Sequence, residues 1–148
     1  MGLQIAAALA LLAVSSAEAQ DLSTAAPVAG SWSYAPMTDG SEAVFANDSG
    51  MPQLWVHCIR ATRRVSISRA ATAAAPLLNV WTSSLAKGLP SSFNPTSGRL
   101  TIDLANYDPL LDAIVSSRGR VGFAVGAQPP LVVPPWAEPA RVIEDCRA

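Results

Sequence analysis

The chain has 148 residues, half of them hydrophobic, and a formal net charge of −1. That length suits one domain with its own core, and near-neutrality argues against nucleic acid or other polyanions as main partners. One histidine and two cysteines cannot supply a zinc tetrahedron without carboxylates, so neither a metal nor a cofactor is expected.

Ile5 to Val14 is an unbroken apolar run, too short to span a bilayer, and Ala17-Glu18-Ala19 has the small-x-small form of a cleavage site. Residues 1–19 are therefore predicted to be a signal peptide cleaved after Ala19, although Met1 to Gln4 contain no basic side chain. Glu18 leaves with it, so the remaining 129 residues carry 10 acidic and 10 basic side chains. No later run approaches the length of a membrane helix, so a soluble periplasmic or secreted protein is expected. In an oxidising compartment thiols pair, and Cys58 and Cys146 are the only two. A Cys58 to Cys146 disulfide would close a loop of about 88 residues and contribute up to roughly 4–5 kcal/mol in the chain-entropy model. A redox or nucleophilic cysteine is disfavoured because no C-x-x-C occurs.

Residues 20–30 lack periodicity and read as a flexible lead-in, leaving 31–148 as a single mainly-β domain. Ser31–Ala35 and Glu42–Ala46 read as strands about Met37-Thr38-Asp39-Gly40, where Asp-Gly can supply a positive φ. Gln53–Arg60 and Arg64–Arg69 form the clearest strand pair. Val65 and Ile67 alternate with Ser66 and Ser68, whereas Gln53–Arg60 is apolar on both faces, as befits a central strand. Leu77–Ser83 is a further strand, and Lys87 to Gly98 reads as a long Gly/Pro/Ser loop. Arg99–Leu104 alternates again.

A helix over about 109–118 follows, with Asp108 as N-cap, Pro109 at the first helical position, and Gly119 as its stop. Arg118 and Arg120 would oppose its dipole. Val121–Val125 and Leu131–Val133 are predicted to pair, and a second helix over about 136–146 ends the chain, with Arg141 and Asp145 at ion-pair spacing. The expected fold is α+β and mainly β: an antiparallel sheet, sandwich or partly open barrel of about seven to eight strands with two short helices.

Chemistry is sparse. His57, the only histidine, is the one candidate general base, but mid-strand between Trp55 and Ile59 a partly buried structural histidine is favoured. Asp103, Asp108 and Asp112 cluster without the spacing of a calcium loop. No serine sits in a nucleophile motif, and no glycine loop is suited to phosphate. Arg60, Arg63, Arg64 and Arg69 crowd one hairpin and are a candidate binding patch, against the commoner reading of a charged, solvated strand edge. Trp32, Trp81 and Trp136 are candidates for an aromatic contact patch, with core packing the favoured role.

Trp32 in an opening strand, Leu54-Trp55-Val56-His57-Cys58, Asp108-Pro109-Leu110-Leu111-Asp112, Ser117-Arg118-Gly119-Arg120 and the ending Arg141 to Arg147 resemble small uncharacterised exported proteins of alphaproteobacteria. In layout alone the chain is similar to the invasion-associated locus B type of periplasmic β-sandwich, from which it departs in cysteine placement. The resemblance implies a non-enzymatic envelope or host-interaction role and brings no active site with it. The expected function is thus a small exported binding protein whose partner is an envelope or host protein. The alternatives are a protease-inhibitor-like module acting through loop 87–97, and a hydrolase using His57.

Overall fold

The computed structural model describes residues 20–148, and the predicted signal peptide lies outside the described residues. Ten strands and two helices are found among them, in two antiparallel sheets. β1 (Gly30–Met37), β2 (Gly40–Asn47), β3 (Pro52–Ile59), β4 (Arg64–Ala70), β8 (Arg99–Ala105) and β7 (Ser92–Asn94) lie side by side in that order. β10 (Leu131–Val133), β9 (Val121–Ala124), β5 (Leu77–Trp81) and β6 (Ala86–Pro90) form the smaller sheet. The expected mainly-β fold with two helices is therefore present, as a two-sheet arrangement rather than a closed barrel.

The two-residue period decides which face is buried. Ala43 and Phe45 of β2, Leu54, Val56 and Cys58 of β3, Val65 and Ile67 of β4, and Leu100, Ile102 and Leu104 of β8 share the inner face of the larger sheet. They meet Leu78, Val80, Val121 and Phe123 of the smaller sheet in one core. β3 is interior, as its sequence indicates, but its second face is covered by side chains rather than by another layer. Trp55 lies beneath the Arg99 guanidinium, 3.7 Å from the ring centre.

α1 (Pro109–Val115) starts as expected, with the Asp108 carboxylate accepting from Leu110 N at 2.9 Å. It stops three residues before the predicted end. Ser83 N donates to the Ser117 hydroxyl and Arg118 N to the Ser83 hydroxyl, both at 2.9 Å, and this serine exchange draws the chain off the helix. Neither arginine serves the helix dipole as expected: Arg118 lies beyond the helix, and Arg120 donates to Ala25 O. α2 (Ala137–Arg147) accommodates Pro139 in its first turn and packs Val142, Ile143 and Cys146 against the larger sheet. Arg141 and Asp145 both turn to Tyr34 of β1, whose hydroxyl donates to Asp145 Oδ2 at 2.6 Å while Arg141 lies 3.9 Å over the ring.

The Tyr34 hydrogen bond holds the Asp145 carboxyl below its usual range. A carboxyl whose folded pKa is depressed contributes stability above its unfolded value, ~3.9, that is lost as pH falls through the lower folded value. Tyr34→Phe should raise the Asp145 pKa, read by carboxyl-carbon NMR titration, and cost about 1 kcal/mol at neutral pH, the partial exposure of the pair limiting the effect. An unchanged titration midpoint would remove this assignment.

Three further expectations are corrected. Gly40 does not supply a positive φ. It opens β2 where a Cβ would come 2.0 Å from the Cys58 carbonyl oxygen, so close strand approach, not turn geometry, requires glycine there. The stretch 87–97 is not a loop but contains most of β6 and all of β7, with Ser91 alone between them at the crossing from one sheet to the other. Ser91 is fixed by bonds to Pro76 O and Ala75 O.

The lead-in is not free either. Leu22 is buried on Gly122, where a Cβ would come 2.1 Å from Leu22 Cδ1, and Val28 N donates to Val132 O at 2.7 Å. At the β3–β4 turn Arg63 has φ of 52°, a left-handed conformation that costs a side-chain-bearing residue about 1–2 kcal/mol. Arg63→Gly should therefore raise the urea unfolding free energy by up to about 1 kcal/mol, since glycine also gains entropy in the unfolded chain.

Candidate functional site

The four arginines proposed as a patch part company in the structure. Arg60 and Arg63 are exposed at the β3–β4 turn. Arg64 places two guanidinium nitrogens on Asp103 Oδ2 at 2.7 and 2.8 Å. Arg69 is 7% exposed and points into the core, donating to the carbonyl oxygens of Phe123 and Pro129 on the facing sheet side. Its burial disfavours the charged form and pulls its pKa down. Arg69 thus belongs to the interior, not to a surface, and no four-arginine patch exists.

The tryptophans likewise lie in separate settings. Trp32 is buried edge-on to Phe45, its indole N–H donating to Pro134 O at 2.7 Å. Trp136 is exposed before α2, and Trp81 is half-buried on the smaller sheet. Of the clustered aspartates, Asp103 pairs with Arg64, Asp108 caps α1, and Asp112 pairs with Arg147 at 2.9 Å. Among the described residues no group of three or more His, Cys, Asp or Glu side chains could hold a metal ion.

The outer face of the larger sheet gathers polar side chains by register. Glu42, His57, Ser66 and Asp103 align across four strands, and beside them run Val44, Trp55, Ser68 and Thr101. His57 Nε2 lies 3.0 Å from Asp39 Oδ2, in the β1–β2 turn, and Nδ1 lies 3.2 Å from Glu42 Oε2 without hydrogen-bond geometry. The bond to His57 holds the Asp39 carboxyl below its usual value. Ser66 faces His57 across β3–β4, yet both imidazole nitrogens are turned to carboxylates, so neither is placed to take a serine proton. This is a charge-paired sheet face.

Cys58 and Cys146 form the expected disulfide, joining β3 to α2 with a Cα separation of 5.5 Å. Its partners could be read from the count of two cysteines.

A cleft of about 300 Å³ lies on the outer face of the smaller sheet. It exists because the lead-in covers only half of that face. Leu22 packs on Gly122 of β9 and Val28 N bonds to the edge of β10 at Val132 O, while the β5–β6 half is left open. Two larger side chains stand there among small ones: Trp81 lies between Gly122 and Ala86, and Asn79 between Ala124 and Gly88. Gln20, Leu22 and Lys87 complete the walls, and the Asn79 amide oxygen occupies the space above Gly88, 2.6 Å from where a Cβ would stand. Sequence reading placed Trp81 in a strand and Lys87 in a loop, and cross-strand neighbours are invisible without register. Comparison with protein-family models, characterised proteins and solved structures finds no match to this chain.

Proposed function

We propose that this is a small exported binding protein, cleaved after Ala19 and acting without catalysis in the periplasm or outside the cell on an envelope or host component. The Cys58–Cys146 bridge carries the reading, because a buried bond between a central strand and a terminal helix is made and kept in oxidising compartments. Both His57 ring nitrogens face carboxylates and neither is aimed at a serine, which speaks against a hydrolase. The strand content of 87–97 speaks against an inhibitor acting through a flexible loop there.

Expression of the full chain in a bacterial host, followed by osmotic release and intact-mass measurement, tests the reading. The released protein should begin at Gln20 and weigh two hydrogens less than its dithiol form. Retention in the cytoplasm with residues 1–19 attached and both thiols free would overturn it.

A further inference from the structure

We infer that the free edge of β1 joins two copies of this chain, strand against antiparallel strand across a two-fold axis, so that the larger sheet runs on from one copy into the other.

The hydrogen bonds of β1 fix which groups that edge offers. In the β1–β2 register Ala29 stands opposite Asp48, and Asp48 N donates to Ala29 O. Directly bonded pairs recur at every second residue of an antiparallel ladder, so Ser31, Ser33, Ala35 and Met37 turn their backbone groups to β2. Gly30, Trp32, Tyr34 and Pro36 turn theirs outward, where no backbone partner meets them among the described residues. α2 packs chiefly over β2 and β3, inboard of this edge.

An open row of this kind is a template for another strand, and proteins normally blunt it with charge, proline or short length. The other sheet edges are blunted in those ways. β6 carries Lys87 and Pro90, β7 and β10 have 3 residues each, and the lead-in bonds to β10 at Val132. β1 has 8 residues without a charge, and its one proline stands next to last.

The row is complementary to itself. With Ser33 facing Ser33 of the second copy, Trp32 faces Tyr34 and Gly30 faces Pro36. Each copy then donates from Gly30, Trp32 and Tyr34 and accepts at Trp32, Tyr34 and Pro36, and the proline, which has no N–H to give, falls at the end of the match. Centring the pair on Tyr34 would set Pro36 opposite Trp32 and lose bonds, and centring it on Trp32 would shorten the paired stretch. Ser31, Ser33 and Ala35, which would meet on the outer face, are small and exposed, and Trp32 beside Tyr34 is an aromatic cross-strand pair. A net charge of −1 puts little repulsion between two copies. Two-fold pairing uses up the edge on both, so association stops at two.

The test is sedimentation of the protein purified from cells expressing the full chain, from about 1 µM to about 1 mM, a range suited to a small interface. The mass should double with a midpoint on the order of 10–100 µM. Amide hydrogen exchange at Trp32 and Tyr34 should slow as the dimer forms, while that of Ser33, bonded to β2, stays the same. Ser33→Lys and Ser33→Glu each set like charges opposite one another at the axis and should weaken association about tenfold. An equimolar mixture of the two variants should recover it, a result that a folding defect would not give. Monomer at every concentration would overturn the proposal and leave the edge to a foreign strand. A dimer indifferent to both substitutions, unchanged exchange at Trp32 and Tyr34, or variants that stay apart when mixed would overturn it as well.

Discussion

Replacing Cys58 and Cys146 together by alanine is expected to lower the unfolding free energy by about 3–5 kcal/mol and the melting temperature by on the order of 10–20 °C. The bridge spans 88 residues of sequence, so in the chain-entropy account its loss frees a large part of the unfolded ensemble. Both sulfurs are fully buried, and the replacement also removes their packing between α2 and the sheet. Urea unfolding of the double variant beside the oxidised protein measures the effect. A difference under about 1 kcal/mol would show that α2 is held by Val142, Ile143 and the Tyr34–Asp145 bond without covalent help.

Arg69→Ala should be of similar size, a loss of about 3–5 kcal/mol. Its guanidinium bridges the two sheets by donating to the Phe123 and Pro129 carbonyls, with the stem among buried residues. Truncation leaves both acceptors without that donor and opens a void between the layers. Arg69→Lys tests the shape of the interaction separately. A single ammonium lacks the planar fork that reaches two carbonyls in fixed directions, so part of the loss should persist with the charge retained. If Arg69→Ala and the unaltered protein unfold at the same urea concentration, the bridge contributes nothing net.

Arg69 also shows what could be read in the sequence and was not. It shares parity with Val65 and Ile67, and strict alternation alone would have sent it inward. Its charge, and the rarity of fully buried arginine, outweighed that signal and placed it with Arg60, Arg63 and Arg64. By contrast, the alternation in β4 and β8 and the Asp108-Pro109 start of α1 were legible because each depends on residues adjacent in the chain. β6 and β7 were not, since Lys87 to Gly98 has the glycine, proline and serine content of a loop and becomes strand only through partners in β5 and β8. The cleft was hidden for the same reason. It depends on Leu22 meeting Gly122, 100 residues away, and on Trp81 having small neighbours on two other strands.

The disulfide also orders events in time. On the export reading proposed above, the chain emerges from its N-terminus, so Cys58 emerges while its partner is still 88 residues behind, a delay of roughly 4–18 s at ~5–20 residues per second. During that interval it has no second cysteine of its own chain to pair with. Mispairing is therefore only intermolecular, and maturation calls for an oxidant that acts late rather than an isomerase that reshuffles bonds.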